Sequence, residues 1–106
     1  MSKAKPKASD LIIVAKAKAK PGREGDLERA LKECAGPTRE QPGCVEFILL
    51  RDATDPAVMV GFERWSSAAD HDRHLNGAHV QKLFAAMGPV LAEPPSIATH
   101  QVVDGG

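Results

Sequence analysis

The chain has 106 residues, with 14 basic and 14 acidic side chains and a formal net charge of zero. That length holds one core and no second domain, and balanced charge lacks the basic footprint that nucleic acid selects, so no nucleic-acid partner is expected. Cys34 and Cys44 form no CxxC pair and read, with no signal peptide ahead of them, as buried or free thiols in a reducing cytoplasm.

Residues 1–10, MSKAKPKASD, have nothing to bury and are expected to be a disordered tail, leaving 11–103 as the folded domain. From Leu11 the pattern alternates: Ile12, Val14, Lys16 and Lys18 point one way, and Leu11, Ile13, Ala15 and Ala17 the other. This is a strand, stopped at Pro21-Gly22. Its apolar start, Leu11–Val14, is too short to cross a bilayer, so no membrane partner is expected.

Leu27, Ala30, Leu31, Cys34, Ala35 and Thr38 follow at helical spacing, the stripe of a helix lying on a sheet. Pro37 falls inside that register and is expected to kink or restart the helix near Gly36, because it lacks an N–H and crowds the carbonyl of Glu33. Cys44–Arg51 and Ala57–Trp65 are rich in strand formers, and the turn composition of residues 52–56 makes them a hairpin. Ser67 and Asp70 have capping-box spacing for a helix ending at Leu75, with Asn76-Gly77 as its left-handed stop. Val80, Leu83, Phe84, Met87 and Leu91 mark another helix, and Ser96–Val103 a last strand.

The order β-α-β-β-α-α-β, with short connections, predicts an α+β ferredoxin-like βαββαβ domain with a four-stranded antiparallel sheet. Its helices cover one face. The other face keeps apolar side chains, and burying them recovers about 25 cal/mol per Å², so a homodimer packed sheet on sheet is expected.

KPG, an amphipathic helix, PTREQPGC, FILLRD, FERW and HLNGAHVQKL together resemble the antibiotic biosynthesis monooxygenase family, its quinol monooxygenase-like members most. The resemblance spans Leu11 to Val103. It implies a dimeric α+β barrel with a pocket between sheet and helices in each subunit, and no need for a flavin, metal or haem as a prosthetic group. It also implies oxidation of a hydroquinone-like or polycyclic phenol by dioxygen, the small aromatic substrate supplying the electrons.

Such chemistry needs an apolar chamber, a proton acceptor and fixed donors. Trp65 matches the family's strand-end Trp and offers a wall and an indole N–H, or else simply anchors sheet to helix. Phe47 and Phe84 are the other aromatic side chains expected against substrate. His74 and His79 are candidate bases, since imidazole titrates near pH 6.5; the plainer reading of each is a surface or capping histidine. Glu63, two residues before Trp65, shares its strand face and is a third candidate, or a partner for Arg51 or a histidine. His71, placed on the charged side of its helix, and His100 have weaker claims.

Two departures from the family matter. The chain has no Tyr, and its first strand lacks the Asn that haem-degrading relatives carry. The rival readings are a metal site built from His71, His74 and His79, a non-catalytic or isomerising ligand-binding dimer, and a structural interaction module.

Overall fold

Alternation along the first strand carries Ile13 and Ala17 under the helices, where both are buried, and leaves Lys16 and Lys18 in water. In the computed structural model, which describes Lys7 and residues 9–105, the elements run β1 (Leu11–Lys18), α1 (Glu24–Arg39), β2 (Cys44–Arg51), β3 (Val58–Trp65), α2 (Ala68–Leu75), α3 (Ala78–Met87) and β4 (Ser96–Gln101). The strands form one antiparallel sheet of order β2-β3-β1-β4, the ferredoxin-like arrangement expected, and the sheet is open rather than closed.

Register follows from which side chains must share the covered face. Ile13 pairs with Glu63 and Leu11 with Trp65 on β3, while Phe47 on β2 reaches Glu63 from the other side. An irregularity between Cys44 and Glu46 lets Glu46 lie opposite Arg64 on the outer face. The deepest packing joins Ala17, Ala19, Leu27, Met59, Met87 and Val90 between sheet and helices. The outer face keeps Ile48 38% and Leu50 46% exposed.

Three local expectations are corrected. First, α1 runs unbroken through Pro37 to Arg39, with Thr38 Oγ1 donating to the carbonyl of Cys34 at 2.7 Å. With Pro37 so near the C-terminus, little helix remains beyond it to be broken. Second, Ser67 does cap α2, its Oγ accepting from Asp70 N–H at 3.2 Å, but the helix ends without a left-handed residue. Gly77 lies at φ −68° and ψ 146° as the N-cap of α3, so the two helices abut in a sharp corner. Third, α3 stops at Met87, before Gly88 and Pro89, and Leu91 bridges Ala19 instead of extending the helix.

Residues 1–6 and 8, most of the expected tail, lie outside the described residues. Asp10, at its end, is buried against the sheet: its carboxylate accepts from Arg64 Nε at 3.0 Å, and Glu46 lies 3.9 Å from the same guanidinium. The Lys7 backbone N–H and the Arg64 guanidinium hold the Asp10 carboxyl below the usual range.

Gly43 takes φ +84°, and a Cβ there would lie 2.2 Å from the Asp70 side chain. Gly36, helical, would meet nothing within 4 Å. Gly43→Ala is therefore expected to cost about 2 kcal/mol or more, combining left-handed strain with a clash against the α2 cap. Gly36→Ala is expected to stabilise by about 0.5–1 kcal/mol. Urea titrations of both variants check the pair, and equal effects would contradict the geometry.

Candidate functional site

Small residues make the hollow. Ala15 and Gly61 face each other across β1 and β3, and a Cβ on Gly61 would sit 3.9 Å from that of Ala15. With no bulk at the centre of the sheet, the helices above leave a largely apolar cavity of about 80 Å³. Phe47 and Leu83 are among its walls, and the half-exposed Phe84, Pro95 and Ile97 lie on its outer side.

Glu63, His71 and His74 are the carboxyl and imidazole groups in that wall, which Lys16 and Cys34 also line. Glu63 is 6% exposed, and its Oε1 accepts from Trp65 Nε1 at 2.9 Å. His74 Nε2 lies 3.8 Å from the same oxygen. Arg51 pairs with Glu28 on α1, so it is not the partner of Glu63. Trp65 is fully buried and stacks on His74 with ring centroids 4.7 Å apart. It backs the site, holding Glu63 and His74 from behind, and is not among the lining residues.

His71 is brought inward, contrary to its expected place on the charged side of α2. It is 5% exposed, with its ring 5.8 Å from that of His74 and 6.0 Å from that of Trp65. His79 is half-buried and lines a separate groove between α1 and α3. Its ring lies 5.8 Å from that of His74, and the two share Gln41, whose Oε1 lies 2.7 Å from His74 Nδ1 and 3.1 Å from His79 Nε2. Phe47 is buried with its ring 6.5 Å from that of His74. His100 is exposed on β4, opposite Ile12 on the outer face. Among the described residues no group of three or more His, Cys, Asp or Glu side chains is placed to hold a metal ion.

Gln41 carried no local signal: it stands just before Pro42-Gly43, between the end of one element and the start of the next. The hairpin register contained the clue, because Cys44 pairs with Trp65 and so sets the turn level with the strand end that bears Glu63 and Trp65.

Burial pushes Glu63 above the usual carboxylate range, offset in part by the Trp65 N–H. Burial also lowers His74 to about 4, with the neighbouring His71 and His79 acting in the same sense, and it lowers His71. Burial in this wall therefore disfavours charge on all three groups.

Linkage gives the sign of the acid response. His74 takes up its proton at about pH 4 when folded and near 6.5 when unfolded, so its contribution, on the order of 3 kcal/mol, is complete above pH 6.5 and lost as pH falls toward 4. Glu63, raised when folded, acts oppositely: its contribution is present below its unfolded pKa and is lost as pH rises through the folded value. Urea midpoints between pH 4 and 7 should thus fall more steeply with acid in Glu63→Gln than in the parent, and less steeply in His74→Phe. Identical slopes in all three would mean that neither group is held neutral.

A family model described as antibiotic biosynthesis monooxygenase matches residues 10–86. Protein sll1783 of Synechocystis is 26% identical over 98 residues, covering 92% of this chain and 67% of that protein. The structure of Rv0793 from Mycobacterium tuberculosis superimposes with a TM-score of 0.85 at 27% identity, over 91% of this chain and 97% of the other. That of PA3566 from Pseudomonas aeruginosa gives 0.85 at 26% identity, over 91% and 96%. With nearly the whole domain matched by structure and residues 10–86 matched by sequence, the chain belongs to the antibiotic biosynthesis monooxygenase family.

Proposed function

We propose that this protein is a cofactor-independent monooxygenase that oxidises a small hydroquinone-like phenol with dioxygen. The observation that carries the reading is the buried Glu63–His74 pair in the wall of an otherwise apolar hollow. A buried carboxyl whose proton affinity is raised toward neutrality suits general-base work better than a solvated one. His74, 3.8 Å away, sets a neutral imidazole beside it.

In this reading Glu63 takes a hydroxyl proton from the substrate, and the phenolate passes electrons to dioxygen. A ring C–O bond forms, and the returned proton gives a hydroperoxide. Loss of the hydrogen from that carbon, with cleavage of the O–O bond, yields a hydroxyquinone and water. A hydroquinone and one dioxygen thus balance a hydroxyquinone and one water. The apolar walls keep bulk water from the intermediates.

Size narrows the substrate. The hollow, at about 80 Å³, is smaller than the roughly 150 Å³ cavity that admits benzene, so a ring must extend toward Phe84 and Ile97. A single-ring substrate suits that space better than a polycyclic one. The exposed Ile48 and Leu50 on the outer sheet face support a second copy covering that surface, and cysteines 34 and 44, which form no disulfide among the described residues, suit a reducing cytoplasm.

Oxygen-electrode traces with methylhydroquinone, menadiol and an anthrone are the test. Uptake that is fastest with the single-ring phenol and lost in His74→Ala supports the proposal. A thermal shift with no uptake across the panel would instead favour a binding or isomerising dimer.

A further inference from the structure

Gln41 Oε1 stands where two imidazoles converge, 2.7 Å from His74 Nδ1 and 3.1 Å from His79 Nε2. A carboxamide oxygen only accepts hydrogen bonds, so each ring nitrogen that meets it carries the hydrogen. A neutral imidazole has one N–H. If His74 gives its hydrogen to Gln41, its Nε2 is bare.

The other side of the ring agrees. His74 Nε2 lies 3.8 Å from Glu63 Oε1, beyond hydrogen-bond reach, although both side chains are buried in one wall. An Nε2–H would have an acceptor in front of it and reason to close that gap. Two acceptors facing one another have none, and Glu63 Oε1 already takes the Trp65 N–H at 2.9 Å.

We propose that Gln41 is a positioning residue that locks His74 as the Nδ1–H tautomer, so that its bare Nε2 faces Glu63 as an acceptor. His79 then serves as the second donor to Gln41, steadying the carboxamide, and is not the base. Because the acceptor at position 41 is neutral, it orients His74 without charging it. A carboxylate there would orient the ring equally well and favour imidazolium, which would turn Nε2 into a donor and remove the acceptor from the pair.

The groups around His74 are Glu63 and Trp65 on β3, His71 on its own helix, His79 on α3, Phe47 on β2 and, near Glu63, Cys34 on α1. Only Glu63 among these brings negative charge at neutral pH when ionised. Substitution at Gln41 therefore changes the ring's hydrogen-bond partner while leaving that set in place. The catalytic consequence rests on the function proposed above; the tautomer does not.

Long-range ¹H–¹⁵N correlation spectra of the imidazoles, recorded without substrate from pH 5 to 8, test the assignment. Parent protein is expected to show His74 protonated at Nδ1 and bare at Nε2. Gln41→Met should shift His74 toward Nε2–H. Gln41→Glu, which keeps an acceptor oxygen, should retain Nδ1–H and raise the His74 pKa by at least about one unit. An Nε2–H His74 in the parent, or an unchanged tautomer and pKa in both variants, would overturn the proposal. Should Gln41→Met fail to fold, the parent and Gln41→Glu spectra still decide it. An Nδ1–H His74 in a protein that consumes no oxygen supports the role of Gln41 and removes only the oxygenase reading.

Discussion

Glu63→Gln is expected to lower oxygen-consuming turnover of a hydroquinone by about 10²–10⁴-fold, the usual range for removing a general base, while leaving the fold intact. The amide has the shape of the carboxyl and can still accept the Trp65 N–H, which lies 2.9 Å from Oε1. What it loses is the capacity to hold a proton. Stability should respond in the opposite direction. Burial raises the Glu63 pKa, so the folded protein loses stability as pH rises and this carboxyl is forced to ionise; the amide never does. At pH 8 the variant should therefore be at least as resistant to urea as the parent. A sluggish enzyme with an undiminished urea midpoint is the expected pairing. Full turnover in Glu63→Gln would move the base elsewhere, and a collapsed far-UV spectrum would give Glu63 a structural duty that its contacts do not suggest.

Trp65→Ala should be the most destabilising single change, at about 3–5 kcal/mol, because a fully buried indole leaves a void that neighbours fill only in part. A domain of this size has about 5–15 kcal/mol in all, so the variant should be close to unfolding at 37 °C. The void would open between β3 and α2, where Trp65 stacks on His74 and lies near His71. Trp65→Phe separates packing from hydrogen bonding. It keeps most of the ring, should cost about 1–2 kcal/mol, and leaves Glu63 without its indole donor, so the carboxyl pKa should rise further. Circular dichroism in urea gives the stabilities, since the only tryptophan is lost as a fluorescent probe. If Trp65→Ala costs under about 1 kcal/mol, the indole is not the anchor described.

Much of the fold is legible in the amino-acid sequence. The two-residue period of LIIVAKAK and the turn at Pro21-Gly22 mark β1; the Leu27–Thr38 stripe marks α1; Ser67 and Asp70 mark the start of α2. These are signals carried by neighbours in the chain, and each survived in three dimensions. Glu63 and Trp65 shared a face by the same arithmetic, and the indole–carboxyl hydrogen bond bears that out. The misreadings were also local in origin. Asn76-Gly77 has the composition of a left-handed stop, yet Gly77 takes an extended φ of −68° as the N-cap of α3, and it is space that asks for glycine there: a Cβ would lie 2.8 Å from the His79 ring. His71 looked solvent-facing beside Asp70, Asp72 and Arg73, but α2 is rotated by its packing on Trp65, and that turns the ring inward.

From the chain alone came the element order, the covered and bare faces of the sheet, and the family to which these residues belong, because periodicity, caps and turns act over a few residues. Only the tertiary structure decided that Gln41 joins His74 and His79, from 33 and 38 residues away, and that Asp10 meets Arg64 across 54. Such meetings depend on strand register and helix rotation, which are set when the whole sheet closes under its helices and by no segment of the chain in isolation.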